Sequence, residues 1–427
     1  MIRSHIISSH LPTIEAEALN LESGYIYSKT LVTHWRVLRH SNHWMSRFGA
    51  EKLNDYYVPE TDILHSHSID AAQQGFYKAC KTAKACQQQG LDTKYPYHVK
   101  TFRTTIWKSS AIRIKNDVLL LSRKRGIDPI KINLPSHLQA VDIIEVRLVF
   151  DKVKRYYNWH FVVEDHIQTS KPSGKQIAAI DLGEIHPVAI TDGNEVCIFS
   201  CRELRSIAQY SAKRQEAIAK VQAKRIKGSI RWKRLQARKV KFLSKQKLKR
   251  RDLEHKISHA TVKWCKDHNV STLVIGDIRD IADKTKVDRK LKKPVRQKMS
   301  IWPHGKIRNY INYKSEAEGI KVKDKQDEAY TSQTCLRCGK RKKPKGRIYS
   351  CSGCGFVFPR DGVGCSNILS KYLFDECGKI CPSKVEYRHP WLNVKSRESV
   401  VSSDTEQVAR IGNIVLSKRE STGIYSQ

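Results

Sequence analysis

Residues 177–201 read IAAIDLGEIHPVAITDGNEVCIFSC, and this stretch contains three short apolar strands separated by turns. The first strand ends at Asp181, which is followed by Leu-Gly and then by the second strand. A carboxylate at the carboxyl end of a buried strand costs free energy unless it binds a cation. Asp181 is therefore a candidate metal ligand, although a turn aspartate explains this short pattern equally well.

Downstream of this stretch, basic helical sequence alternates with short strands. Residues 203–259 have a long, very basic helical pattern, which Gly228 divides into a predicted helical hairpin. TLVIGDI (272–278) predicts a short strand, residues 303–318 predict a helix, and GIKVKDKQ (319–326) predicts a further strand. Taken alone, the basic stretch fits a solvated helix as well as it fits contact with nucleic acid.

Four cysteines form two CxxC pairs, Cys335-Leu-Arg-Cys338 and Cys351-Ser-Gly-Cys354. Two pairs at this separation place four thiolates around one Zn²⁺, and the glycines at 339 and 355 allow each pair to turn tightly. Four protein ligands leave no open position on the metal. The pattern therefore predicts a structural zinc site and not a catalytic one.

An aspartate follows the cysteines in the segment RDGVGCSNIL (360–369). We expect a helix over residues 360–373, in which the small residues allow close packing on a sheet. Taken alone, Asp361 is explained by helix N-capping. The order of the elements favours a functional role, because a strand hairpin with Asp181, basic helices, two strands, four cysteines and this helix follow one another.

The first 170 residues have a different pattern. From about Leu31 to Lys124, apolar residues recur at helical spacing and predict amphipathic helices with basic faces; the markers include Trp35, Phe76, Phe102, Ile106 and Ile112. The segments IKINL, DIIEVRLVF and YNWHFVVED predict strands, and the last two predict a hairpin of a small β-barrel. Residues 171–174 predict a linker, and the polar segment 383–427 predicts disorder.

The composition indicates a protein of several modules that binds nucleic acid. The 427 residues carry a formal net charge of +37, which implies a polyanionic partner. No apolar run approaches the roughly 18–20 residues needed to cross a bilayer, so we expect no membrane partner. One tight cysteine cluster among scattered cysteines is typical of a reducing compartment, and we expect a cytoplasmic, prokaryotic, nucleoid-associated protein.

Five segments occur in one order along the chain: IDLGEIHPVAITDG, TLVIGDIRD, EAYTSQTCLRCG, YSCSGCGF and RDGVGCSNIL. Together they resemble the TnpB family of transposon-encoded proteins and its relatives, the small type V CRISPR effectors. The resemblance covers residues 174–373 and is only architectural before them. It implies an α+β multidomain fold, with an RNase H-like (RuvC) core, an inserted zinc ribbon, and an N-terminal helical and small β-barrel lobe.

The same resemblance implies a domain organisation and an activity. Residues 1–170 would bind nucleic acid, and residues 174–373 would form the RuvC-like core, with a basic helical insertion at 203–259 and the ribbon at 330–358. The implied activity is Mg²⁺-dependent cutting of double-stranded DNA beside a short flanking motif. A guide RNA from the transposon end would select the target, and Zn²⁺ in the ribbon would be structural.

One acid of the implied site is missing. RuvC-like sites use three carboxylates to hold two Mg²⁺ ions, and the family's first and third acids map onto Asp181 and Asp361. The second is a Glu at the end of the fourth core strand, where this sequence has Gly276. Asp277 is a less favoured substitute, because a shift of one residue along a strand turns a side chain to the opposite face unless a bulge intervenes.

Glu328, just beyond the strand at 319–326, is the preferred replacement. The strands that bear Asp181, Gly276 and residues 321–325 should be parallel neighbours, so Glu328 would lie one strand away from the missing acid. The glycine leaves volume into which this longer side chain could reach, and some members of the family resemble this chain in carrying a displaced Glu. We predict Asp181, Glu328 and Asp361 as the catalytic, magnesium-binding set.

Two other functions remain compatible with the sequence. With an incomplete site, the chain would be a nuclease-deficient RNA-guided DNA-binding protein, acting as a repressor or targeting factor. A structure-selective nuclease without a guide, like a Holliday-junction resolvase, is the other hypothesis, and the large basic N-terminal lobe argues against it. The acid that lies beside Asp181 and Asp361 distinguishes the first alternative from a nuclease.

Overall fold

The computed structural model describes residues 2–57, 62–139, 141–164, 174–278, 293–391 and 395–400. The chain divides into two compact units, Met1–Gln168 and Thr169–Gln427. Most of the predicted linker, residues 171–173, lies outside the described residues. No helix in the described ranges combines the length and the apolar character needed to cross a membrane.

The first unit contains three helices that follow its first strand: α1 (Thr13–Ser41), α2 (Arg47–Tyr57) and α3 (Ser66–Gln88). The helices α1 and α3 pack through the side chains of Tyr27, Leu31, Phe76 and Cys80. The helical prediction is thus confirmed up to Gln88. It is wrong for Phe102, which lies outside any helix or strand, and for Ile106 and Ile112, which lie on strands. The β-branched and aromatic side chains of Thr105–Lys108 alternate between buried and half-buried positions, as in a strand.

The strands of the first unit are β1 (Ile2–Ser8), β2 (Thr105–Lys108), β3 (Ile112–Lys115), β4 (Val118–Leu121), β5 (Ile130–Asn133), β6 (Asp142–Asp151) and β7 (Tyr156–Glu164). One antiparallel sheet has the order β1-β7-β6-β2, and a second has the order β3-β4-β5. The short helix α4 (Ser136–Gln139) connects them, and both sheets share a core around Trp107 and Trp159. The predicted hairpin of β6 and β7 is confirmed.

The second unit is built on a seven-stranded sheet. Its first strands are β8 (Gln176–Asp181), β9 (Val188–Thr191), β10 (Glu195–Phe199), β11 (Val270–Gly276) and β12 (Lys321–Gln326). β8, β9 and β10 pair antiparallel, whereas β11 lies parallel to β8 on its other side and β12 lies parallel to β11. The order β12-β11-β8-β9-β10 is that of an RNase H-like core, and the prediction of parallel neighbours is confirmed.

Helices cover one face of this sheet. The basic hairpin consists of α5 (Arg202–Ala223) and α6 (Ile230–Asp267), and Gly228 in the turn between them has a φ of +90°. α6 continues beyond the predicted end at residue 259, because Val262 and Trp264 pack into the core of the sheet. α7 (Lys293–Ile301) and α8 (His304–Ala317) follow, and Ile307 and Ile311 of α8 join the same core.

The opposite face of the sheet carries the predicted helix with Asp361, α9 (Arg360–Phe374). Ile368 and Leu369 of α9 pack against Ala179 of β8 and Val274 of β11. The residues next to Ala179 and Val274 in these strands point to the opposite face, into the core formed with α6 and α8. The cysteine segment precedes α9 and contains a small hairpin of β13 (Ile348–Ser350) and β14 (Val357–Pro359). The sheet therefore places the end of β8 directly against the start of α9.

The expectation of disorder from residue 383 onward is wrong for the first part of that segment. Strand β15 (Lys384–Arg388) pairs parallel to β10 and adds to the sheet, with Val385 and Glu386 buried. β16 (Lys395–Val400) pairs antiparallel to β15. The polar composition of this segment concealed the strand, because Glu386 is buried with an ion pair to Arg388 and gives no apolar signal. Residues 401–427 lie outside the described residues.

Candidate active site and cysteine cluster

Asp181 is the last residue of β8 and is half-buried. α9 approaches it through Gly364: a Cβ on this glycine would lie 3.1 Å from Asp181 Cγ and would overlap its Oδ2. A larger residue at 364 could not occupy this position without displacing the carboxylate. The small residues of α9 thus allow the helix to approach the end of the strand, as the sequence predicted.

Asp361 lies in the first turn of α9, on the side of the sheet edge where β8 ends. Pro359 occupies the N-cap position without a side-chain hydrogen bond, and Asp361 lies inside the helix, so the N-cap interpretation of this aspartate is wrong. Its side chain is 17% exposed, and Oδ1 lies 3.6 Å from Arg347 Nη1. Its charge also raises the pKa of Asp181, so the two carboxylates are close neighbours.

Glu328 occupies the volume that Gly276 leaves at the end of β11. A Cβ on Gly276 would lie 2.6 Å from Glu328 Cδ and 2.7 Å from its Cγ, closer than packed atoms approach. Strand β12 ends two residues earlier, at Gln326, and its pairing with β11 shifts register after Ile275. Ile275 pairs with Asp324 and Gly276 pairs with Gln326, so Lys325 has no partner residue in β11. The bulge therefore lies on β12, the strand that leads to Glu328.

Asp277 continues β11 by one residue beyond Gly276. Its backbone N–H donates to the carbonyl of Gln326 at 2.8 Å, which keeps the backbone in the ladder with β12. The side chain is half-buried, and its charge is one of those that raise the pKa of Glu328. The structure thus places Asp277 near Glu328, whereas the volume at Gly276 is filled by Glu328 itself.

Burial and mutual repulsion perturb the carboxyl groups. Burial, followed by the charge of Asp361, raises the pKa of Asp181 to about 7. Burial, followed by the charges of Asp181 and then Asp277, raises the pKa of Glu328 to about 8. Among the described residues, Glu328 Oε1 is buried without a hydrogen-bond partner. Hard oxygen donors held in this way are suited to a divalent cation, which would relieve the repulsion.

These shifts predict how stability depends on pH in buffer without Mg²⁺. The folded-state pKa values of Asp181 and Glu328 lie above those of the unfolded chain. The contribution of these two groups to the free energy of unfolding is therefore complete below about pH 4, and it is lost as the pH rises through about 7 and 8. We expect the neutral variant Glu328→Gln to raise the free energy of unfolding by about 2 kcal/mol at about pH 8.5, with little effect near pH 4. Thermal unfolding at both pH values measures the difference.

The exposed Glu316 provides a matched control for this measurement. Glu316→Gln removes one negative charge from the surface of α8 and should leave the pH dependence unchanged. If Glu328→Gln were no more stable than wild type at about pH 8.5, the carboxyl group would not be held against its neighbours as the structure indicates.

The four predicted cysteine ligands lie together. The Sγ atoms of Cys335 and Cys354 are 3.6 Å apart, those of Cys338 and Cys351 are 3.5 Å apart, and all four lie within 4.8 Å of one another. Gly339 and Gly355 both have a φ of +68°, which explains the glycine after each pair. In the described part of the chain, this is the only group of metal-binding residue types that meets the 4.8 Å spacing; the three carboxylates lie further apart.

The sequence motifs assign no role to Asn367 in α9. Its side chain is fully buried and donates to the carbonyls of Thr331 and Thr334, at 2.7 and 2.8 Å, and accepts from Gly378 N at 2.7 Å. It therefore ties the turn that follows Glu328 to the helix that carries Asp361. The signal in the sequence was a polar residue, Asn367, directly before the apolar Ile368 and Leu369, which could have indicated a buried hydrogen-bonding role.

Two family models and one curated protein match parts of this chain. Residues 160–282 match the family model OrfB_IS605, described as a probable transposase, and residues 304–368 match the Cas12f1-like TNB domain. A TnpB-like protein of Methanocaldococcus jannaschii is 27% identical over 203 residues, which are 46% of this chain and 69% of that protein. These matches make the chain similar to TnpB proteins, as its motifs predicted.

A solved structure supports the predicted fold. This chain is similar to one in the cryo-EM structure of a Cas12f1–sgRNA–target DNA complex, with a TM-score of 0.56 and 12% sequence identity. The alignment covers 83% of this chain and 82% of the chain in that complex. At this identity the likeness concerns the fold alone. The predicted α+β architecture with a RuvC-like core is confirmed, and so is the predicted resemblance to the TnpB family.

Proposed function

We propose that this protein is an RNA-guided, metal-dependent DNA endonuclease associated with a transposon, and that it cuts guide-matched DNA beside a short flanking motif. The observation that carries the proposal is the gathering of Asp181, Glu328 and Asp361 around the end of β8 in the RuvC-like sheet. Partly buried carboxylates that repel one another are unfavourable unless they bind cations. Their presence supports a metal-dependent reaction.

The three carboxylates fit Mg²⁺ because charged oxygen atoms are the ligands that it prefers, and because Glu328 Oε1 has no other partner in the described structure. Two Mg²⁺ ions bound there would activate water and stabilise the developing charge at a scissile DNA phosphate. The chain's own contribution is positional. Asp181 projects from the end of β8, Glu328 from the turn after β12, and Asp361 from the first turn of α9.

The cysteine cluster is proposed to hold one structural Zn²⁺. Cys335, Cys338, Cys351 and Cys354 provide four soft thiolates at mutual distances that suit a single tetrahedral ion. The residues around the cluster also belong to the core of the sheet, since Cys335, Cys351 and Phe358 pack with Val196 of β10. The metal would therefore stabilise the segment that leads into α9, and it would not take part in the chemistry.

Guide RNA and double-stranded target DNA are the proposed partners. The net charge of +37 and the exposed basic residues of α5 and α6 support phosphate binding along the hairpin. Sequence would be read by base pairing with a guide from the transposon end. Residues 1–170 would bind the guide and the flanking motif, and residues 174–373 would cut. A reducing, prokaryotic cytoplasm with access to the nucleoid is the proposed location.

The RNA that accompanies the protein tests the guided function. We expect RNA from one transposon end to co-purify at low salt and to dissociate steeply as salt rises, because the contacts are mainly to phosphates. Sequencing this RNA would define the guide. A matched duplex should then be cut in Mg²⁺, and a mismatched duplex should not. A protein that carries no RNA, and whose stability is unchanged by transposon-end RNA, would refute the guided function.

The alternative, a nuclease-deficient guided DNA-binding protein, is an outcome of the same experiment. Gly276 in place of the usual acid motivated it, and the position of Glu328 at Gly276 argues against it. If the wild-type protein binds a matched duplex but never cuts it in Mg²⁺, the nuclease proposal fails and this alternative is supported.

A further inference from the structure

Tyr330 lies two residues after Glu328 and has a left-handed backbone conformation, with a φ of +64°. A tyrosine is strained there, because asparagine and glycine adopt positive φ more easily. The turn enforces this conformation: Thr331 N donates to the carbonyl of Glu328 at 3.2 Å, and Gln333 N donates to the carbonyl of Tyr330 at 2.9 Å. Strain that the surrounding structure maintains is concentrated at functional sites.

The turn is also fixed from outside. The buried side chain of Asn367 donates to the carbonyls of Thr331 and Thr334, and Thr334 Oγ1 donates to the carbonyl of Tyr330 at 3.0 Å. Thr331 and Thr334 are themselves buried. Tyr330 is therefore held rigidly relative to α9 and Asp361, although its own side chain lies at the surface.

The ring of Tyr330 is presented for contact. The residue is 49% exposed, and the guanidinium carbon of Arg341 lies 3.5 Å from the ring centroid. Arg341 is positioned by an antiparallel backbone bridge to Thr334, and Lys342 N donates to the carbonyl of Gln333 at 2.8 Å. The arginine covers part of the ring, and the exposed remainder of the tyrosine is available to a second planar group.

The surroundings of the ring are cationic and close to the carboxylates. The loop 340–347 contributes six exposed cations, namely Lys340, Arg341, Lys342, Lys343, Lys345 and Arg347. At its end, Arg347 Nη1 lies 3.6 Å from Asp361 Oδ1. At the other side, the Cα atoms of Tyr330 and Glu328 can be at most about 7 Å apart, the span of two residues. An anionic, base-bearing strand fits this surface.

We propose that Tyr330 and Arg341 form a stacking platform for one nucleobase of the single DNA strand that enters the carboxylate site. The inference rests on the proposed nuclease function and adds a positioning contact to it. A base stacked on Tyr330 fixes the adjoining sugar and phosphate near Glu328 and Asp361. Every base has an aromatic face, so the contact does not select sequence, as an enzyme guided by base pairing requires.

The test uses the full-length protein with the Asp181→Ala substitution, so that bound DNA is not cut, and a fluorescent single-stranded DNA oligonucleotide. It needs neither a guide nor cleavage, and its failure is therefore separate from failure of the proposed function. Tyr330→Asn removes the ring but favours the left-handed backbone, so the turn is kept. We expect about fivefold weaker binding with an unchanged salt dependence, since stacking is lost and no phosphate contact is.

Further variants separate stacking from other effects. Tyr330→Phe should bind like the unsubstituted tyrosine, and Phe374→Ala removes a ring that is 55% exposed at the far end of α9 and should have no effect. Arg341→Ala should weaken binding and also lower the salt slope by about 0.7, the value for one phosphate contact on a single strand.

Photocrosslinking gives a readout that does not depend on affinity. An oligonucleotide with 5-iododeoxyuridine should crosslink to Tyr330, which mass spectrometry of the digested protein would identify, and this crosslink should be absent in Tyr330→Asn. Binding by Tyr330→Asn equal to that of the parent protein, or crosslinks confined to other residues, would overturn the proposal.

Discussion

Glu328→Ala is expected to abolish Mg²⁺-dependent cleavage as completely as Asp181→Ala or Asp361→Ala, with each rate lower than wild type by about 1,000-fold or more. Two ions that bridge one phosphate need several carboxylates, and the loss of one disrupts their placement. Guided binding should be mostly retained, because base pairing and phosphate contacts hold the target. Single-turnover cleavage of a matched, motif-flanked duplex measures the rates, and a binding assay with the same duplex measures affinity.

Asp277→Ala is the matched control for this comparison. Asp277 lies in the same strand-end region and is a neighbour of Glu328, yet its removal should leave the cleavage rate within a few-fold of wild type. Normal cutting by Glu328→Ala together with loss of cutting by Asp277→Ala would reverse the assignment. Asp277 would then be the acid that serves the site.

Gly276→Ala gives an independent check on the position of Glu328. The added methyl group would lie 2.6 Å from Glu328 Cδ, so the glutamate would have to leave its position. We expect Gly276→Ala to lose cleavage nearly as completely as Glu328→Ala, and the double variant to be no worse than either single one. Additive losses would mean that the two residues act separately.

Loss of a zinc ligand should have the largest effect on stability. Cys335→Ser or Cys354→Ser is expected to remove the metal and to lower the melting temperature by roughly 5–10 °C, because metal binding and local folding are coupled. The effect should reach beyond the ribbon, since Cys335 shares a buried core with Val363 of α9 and Ile198 of β10. Metal analysis and thermal unfolding of the purified proteins measure both quantities.

Cys381→Ser is a suitable control, because Cys381 is exposed and does not belong to the four-cysteine group. It should retain one metal ion per chain and melt like wild type. If wild-type protein contained no zinc, the assignment of the ribbon would be refuted.

Several elements of the fold were predictable because their signals are local. The apolar strand before Asp181, the CxxC pairs and the glycine in the basic hairpin depend on residues within a few positions of one another. Strands β1 and β15 were not predicted. β1 alternates weakly and is stabilised by pairing with β7, about 150 residues away, and β15 buries an ion-paired glutamate. The stability of these two strands comes from pairing with distant segments, and their own composition gives no signal of it.

Local sequence patterns were enough to identify a basic chain with a four-cysteine cluster and with acids after a strand and at the start of a helix. The arrangement of these acids depends on contacts between distant segments. Gly276 and Glu328 are separated by about 50 residues, and they meet because β11 and β12 pair as parallel neighbours whose carboxyl ends lie together. The strained conformation of Tyr330 is equally a tertiary effect, since the clamp by Asn367 acts through hydrogen bonds from α9 that no local pattern encodes.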